Sequence, residues 1–212
     1  MKWPICKRVL LALIAIGSIV VTTRAVYSQS WFVNKKCIRC DLTRADLEHR
    51  NLQNINFRGT NFTFANLQET NLSGANLSGT RLVETKLARA NLSNANLDAA
   101  NVVKADLRST NFFGASLESA RILQTNLKSA QFIGARMRGI NFSDTDLRKS
   151  DLRNSDLLVA NFANSDCREV NFSGANLQGA NFNGARLDGA IFNGANLKNV
   201  VFPSGFSASG QF

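Results

Sequence analysis

The apolar positions of this chain recur with a period that belongs to neither common secondary-structure element. From Leu42 to Phe202, every residue whose number ends in 2 or 7 is apolar. Of these 33 centres, 19 are leucine and 10 phenylalanine, and the others are Val102, Ile122, Met137 and Cys167. Two places before each centre stands a restricted set that includes 17 alanines, seven threonines and three serines. All 11 glycines of the tract, from Gly59 to Gly194, lie two places after a centre. A five-residue step turns about 140° on an α-helix, so the centres would wander over every face. On a flat strand an odd step would send alternate centres to opposite sides. Side chains with this spacing share one interior only if the chain turns by a fixed angle per repeat and stacks on itself as a solenoid. Leu72, Leu77, Phe142, Phe162 and Phe182 are then interior centres.

The aromatic centres set the number of sides. Nine of the ten phenylalanines have numbers ending in 2, and only Phe57 ends in 7. This ten-residue period within the five-residue one fits an even-sided coil. A square coil of about 20 residues puts Phe142, Phe162, Phe182 and Phe202 in one column. Phe112, Phe132, Phe172 and Phe192 fall in the opposite column, where large and small residues facing one another fill an interior closely. Four repeats per coil predicts about eight coils and a rod of roughly 40 Å. Glycine suits corners that need φ > 0, and proline is absent between Pro4 and Pro203, as expected where backbone N–H groups bond the next coil. Asn or Asp just before each centre should stand outside the coil. Asn51, Asn71, Asn91, Asn111, Gln131, Asp151 and Asn171 form one such ladder, which reads as structural.

The repeats ANLSG, ANLQG, ANFNG and ANLKN make the tract resemble the pentapeptide-repeat family. The resemblance implies an all-β fold, a right-handed quadrilateral parallel β-helix with turns at its corners. Because CIRCDL opens the repeats with a cysteine pair, it also implies an exported, cyanobacterial or plastid-related member.

The amino terminus is organised differently. Lys2, Lys7 and Arg8 precede Val9–Val21, an apolar run of 13 residues, and TTRAVYSQS follows with small residues before Gln29. This is the layout of a secretory signal peptide over residues 1–28, and the run is shorter than the ~20 residues of a membrane-spanning helix. The alternative is an uncleaved anchor, since Arg24 interrupts the cleavage region. Cys6 precedes the apolar run, so no lipid-attachment pattern is formed. The sequence therefore divides into residues 1–28, a cap at 29–39, the repeats at 40–202 and a tail at 203–212. The leader holds four of the 25 basic residues and none of the 15 acidic ones. The remainder carries a net charge of +6, enough for some attraction to anionic surfaces. Delivery to periplasm or thylakoid lumen takes it away from nucleic acid.

Departures from the frame mark candidate sites. Cys37 falls on a centre and Cys40 on the next small position, so both point inward at the first coil. A disulfide there would pin a fraying end in an oxidising compartment; redox activity and metal binding are the alternatives, without a βαβ context or a second ligand pair beside the lone His49. Cys167 is a buried apolar centre. Arg50 occupies a small inward position, so either the first coil is loose or the side chain leans out. Trp31 and Phe32 are candidates to cap the first coil, and Phe206 and Phe212 the last, where a second chain is an alternative cover.

The outward columns give two surfaces. Val83, Val103 and Leu123 form an exposed apolar stripe beside Arg81, Lys104 and Arg121, either ordinary β-sheet surface or a protein-binding face. Arg108, Lys128, Arg148 and Arg168 form a basic ridge, partly neutralised by Asp106, Asp146 and Asp166. No concave pocket is expected on a filled rod, and no cofactor or metal is implied. The best reading is a non-catalytic rod that binds or scaffolds an unidentified protein. A redox protein using Cys37 and Cys40 is second. A DNA mimic that binds a topoisomerase, an activity known in the family, fits worse, because it needs an acidic face. The membrane enters only through an uncleaved leader, and a homodimer through an end coil is a further expectation.

Overall fold

The computed structural model describes residues 35–206. The leader, Trp31, Phe32 and Phe212 lie outside the described residues. Within them the chain makes a four-sided parallel β-helix with no α-helix. Pairing is parallel and in one register throughout, each residue meeting the one 20 later, from Lys36↔Asn56 to Asn181↔Val201. The stack thus begins at Lys36, ahead of the expected boundary at Cys40.

One repeat shows why five residues make a side. Asn61 N–H donates to the Cys40 carbonyl of the coil before (2.9 Å), and Phe62 N–H to Arg81 of the coil after (2.8 Å). Thr63 N–H turns to the Oδ1 of Asn61 (3.1 Å). Phe64 N–H reaches the Val83 carbonyl (3.0 Å), and Ala65 N–H closes the corner onto Phe62 (2.8 Å). All five donors are satisfied, as a buried backbone requires. The fourth residue has φ 61°, the conformation a type II turn demands. Every such corner from Arg39 to Asn199 has positive φ, whether or not it is glycine.

The Asn/Asp column therefore does more than stack. Its Oδ1 is the acceptor for the one N–H that neither neighbouring coil can reach, an Asx turn built into the repeat. The stacked contacts exist as well: Asn91 Nδ2 donates to Asn71 Oδ1 (3.4 Å) and Asn111 Nδ2 to Asn91 Oδ1 (3.2 Å).

The core is solid. Leu72, Leu77, Phe142, Phe162 and Phe182 are all buried. Phe142, Phe162, Phe182 and Phe202 stack along one side at centroid spacings of 5.4, 4.6 and 6.0 Å. Phe112 stacks on Phe132 (4.5 Å) and Phe172 on Phe192 (5.1 Å) on the opposite side. The two columns meet edge to face, for example Phe162 on Phe172 at 5.6 Å and 85°, the arrangement favoured by the ring quadrupoles. At the carboxy-terminal end Phe206 stacks on Phe202 (5.0 Å). Arg50 is half-buried, yet its N–H bonds Leu47 and its carbonyl accepts from Asn71 as in any other coil. The coil is not loosened there.

Candidate functional site

One face departs from the regular corner. At Asn101–Val103 (β1) and Arg121–Leu123 (β2) the backbone extends into paired strands, in the register Asn101↔Arg121, Val102↔Ile122 and Val103↔Leu123. Val103 and Leu123 are β-favouring residues, and Arg121 lacks the short carbonyl that would make an Asx turn. The opening leaves Asn101 Oδ1 buried without a hydrogen-bond partner, whereas Asn111 and Asn141 on regular corners each accept an N–H two residues on.

Val83, Val103 and Leu123 line up on this face, but each is half-buried rather than exposed. The expected exposed stripe is corrected to that extent: each column residue has stacked neighbours one coil above and below, which take part of its surface from water. Arg81, Lys104 and Arg121 beside them are exposed. Phe64, Phe113 and Val159 are more exposed than Val83, Val103 and Leu123. Phe64 lies one coil before Glu84, next to the Val83 column, with the Arg44 guanidinium 5.6 Å from its ring centroid. The columns three and four places into each repeat carry these residues and were readable in the sequence.

On the adjacent face the basic ridge is largely paired within itself. Arg108 holds Asp106 through Nε (2.8 Å) and Nη2 (2.7 Å). Arg148 holds Asp146, and Arg168 holds Asp166, in the same two-point geometry. Each arginine keeps its aspartate below the ordinary carboxylate range, the side-chain hydrogen bond being the main cause. Lys128 differs, because Asn126 stands where the others have aspartate. Around it lies a groove of about 370 Å³, which corrects the expectation of a rod without a pocket: the concavity forms between long surface side chains, outside the filled core. It is lined by the cations Arg89, Arg108 and Lys128, the carboxylate of Glu69, and Gln68, Ala88, Ser109 and Ser129. Arg89 also reaches Glu69 at 3.3 Å.

Cys37 and Cys40 are joined as a disulfide with their Cα atoms 5.4 Å apart, and both are buried in the first coil. Cys167 is a free, buried thiol pushed up to about 12 by desolvation, so at neutral pH it is not a nucleophile. His49 lies 3.2 Å from Glu69, and no group of three or more metal-ligating side chains occurs among the described residues.

A pentapeptide-repeats model matches residues 40–79, 75–114 and 90–128, and a pentapeptide-repeat-region model matches 125–202. A search of curated proteins gives no match. Among solved structures, the chain is similar to a trypsin-treated form of QnrB1, described as a plasmid-mediated fluoroquinolone resistance protein. The identity is 18%, with 82% of this chain and 92% of that one covered and a TM-score of 0.50. HetL, described as a pentapeptide repeat protein involved in heterocyst differentiation regulation from the cyanobacterium Nostoc sp. strain PCC 7120, is 24% identical, with coverage of 82% and 92% and a TM-score of 0.42. A pentapeptide repeat protein from the Arabidopsis thaliana thylakoid lumen is 23% identical, with coverage of 60% and 65% and a TM-score of 0.19. The matched repeats run without a gap from residue 40 to 202 on a right-handed quadrilateral β-helix, and the chain belongs to the pentapeptide-repeat family.

Proposed function

We propose that this chain is an exported, non-catalytic rod that binds or scaffolds a protein partner through the Val83–Val103–Leu123 face. The observation that carries this reading is the apolar column beside the paired strands β1 and β2, where half-buried apolar side chains sit among the exposed cations Arg81, Lys104 and Arg121. Apolar area ringed by polar groups is what interfaces use. A core filled with Leu and Phe supports the non-catalytic part of the reading. The basic, then apolar, leader sequence supports export to a periplasm or thylakoid lumen. Pull-down from an envelope fraction tests it, comparing wild type with a Val103→Glu, Leu123→Glu variant whose fold is checked by circular dichroism. Loss of specific partners from the variant supports the face, and identical partner sets remove it. The last coil, with Leu197, Val200 and Phe202 only partly buried, supports self-association there. Sedimentation as a monomer at high concentration would refute that.

A redox role for Cys37 and Cys40 is the second reading, favoured by the bond between them. A reduction potential within the roughly −120 to −270 mV of thiol oxidoreductases supports catalysis, and one below about −300 mV supports a structural staple.

A further inference from the structure

The four-sided coil sorts charge in a way that no single column reveals. Residues 81–90, 101–110 and 121–130 build the same two adjacent faces over three successive coils. The first of these faces carries Arg81, Lys104 and Arg121, and the second carries Lys86, Arg89, Arg108 and Lys128. Against these seven cations stand two carboxylates, Glu84 and Asp106, for a net of +5. The other two faces over the same height, residues 91–100 and 111–120, hold Asp98 and Glu118 and no cation. Successive coils lie ~4.8 Å apart, so cations on the same face of neighbouring coils fall within one Debye length, about 8–10 Å, and reinforce one another.

The groove around Lys128 lies within this patch, next to the apolar strip. The Arg108 guanidinium is already held by Asp106 and that of Arg89 by Glu69. Glu69, the one carboxylate lining the groove, is taken up by Arg89, whereas Lys128 has no acidic neighbour at the position that supplies one to Arg108, and Ser109 and Ser129 line the groove with it. A cavity of about 370 Å³ takes a few side chains and is small for a nucleic-acid duplex.

We infer that this groove seats carboxylate side chains of an acidic polypeptide, whose apolar residues lie on the Val83–Val103–Leu123 strip. The inference rests on the reading of that strip as the partner face and adds the partner's chemical class. The probe is a fluorescently labelled decaglutamate peptide, its anisotropy measured against the full chain at low and physiological ionic strength. Lys128→Glu is the test variant. Arg58→Glu, on an exposed site of another face, makes the same change in net charge and is the control. Decaglutamate should bind at low salt and weaken as salt rises. Lys128→Glu should weaken it by on the order of tenfold, and Arg58→Glu by less than about twofold. Equal effects of the two reversals, or no binding of decaglutamate, overturn the inference. So does tighter, Lys128-dependent binding of a ten-phosphate oligothymidylate or of phosphatidylglycerol vesicles. If Val103→Glu, Leu123→Glu abolishes partner capture while Lys128→Glu leaves decaglutamate binding intact, the face stands and this inference alone fails. If decaglutamate binding depends on Lys128 while the capture is unaffected, the face reading fails and overturns the apolar half of the inference, leaving only the groove's preference for carboxylates.

Discussion

Asn101 and Asn111 occupy the same place in successive half-coils, and the structure assigns them opposite energetic roles. Asn111 Oδ1 accepts the Phe113 N–H at 3.0 Å, and its Nδ2 donates to Asn91 Oδ1 at 3.2 Å. Truncation to alanine removes both contacts and leaves the Phe113 N–H to water. Each net hydrogen bond is worth about 0.5–1.5 kcal/mol, so Asn111→Ala should cost about 1–2 kcal/mol. Asn101 Oδ1 is buried with no donor, at the one column where paired strands stand in place of the regular repeat. Removing an unsatisfied acceptor of this kind recovers about 1 kcal/mol of desolvation, offset by lost packing of a half-buried side chain. Asn101→Ala should therefore be neutral or slightly stabilising. Urea unfolding followed by far-ultraviolet circular dichroism measures both, provided the slopes of the transitions stay equal. Equal destabilisation by the two substitutions would refute this account of the open corner.

Three further outcomes are expected. Gly179 has φ 69°, and a Cβ placed there would meet Val159 Cγ1 at 3.2 Å; Gly179→Val should cost about 1–2 kcal/mol and be partly rescued by Val159→Gly, and an unchanged urea midpoint would reject the corner argument. The depressed pKa values of Asp106, Asp146 and Asp166 mean that the unfolded chain takes up protons first as the solution is acidified. Their contribution is complete above the unfolded carboxylate pKa of about 3.9 and is lost as pH falls through the folded values, so stability measured from pH 6 to pH 2 should drop mainly below about pH 4, less steeply in an Asp146→Asn variant; identical profiles would contradict it. Reduction of the Cys37–Cys40 disulfide should lower hydrogen-exchange protection in the first coil, where Cys37 and Arg39 N–H groups bond Asn56 and Arg58, and leave Phe142–Phe182 unchanged, because a solenoid couples mainly to nearest neighbours. Uniform loss along the rod would show a global role instead.

The period and the aromatic columns were legible because side-chain size is printed directly in the sequence, and only a square coil puts Phe142 beneath Phe162. The second role of the Asn/Asp column was harder to see. Its acceptor serves a backbone N–H two residues on, and a backbone donor has no letter of its own. The half-burial of Val83, Val103 and Leu123 was illegible for another reason: it depends on how far neighbouring side chains lean, which registry does not specify. Phe64, Phe113 and Val159 escaped because attention to one outward column hides the others. The cationic patch required three coils to be superposed before its seven charges became neighbours.

The backbone accounting of the single repeat sets two different quanta of length. Excising five residues removes one complete set of donors and acceptors, so the interior would close again around its leucines and phenylalanines. Everything downstream would nonetheless swing by a quarter turn, carrying Leu123 off the side it shares with Val103, and Lys128 off the side it shares with Arg108. Only excision in units of twenty preserves both. A rod of this kind can lengthen or shorten cheaply as a fold while its recognition surface tolerates change only in whole revolutions.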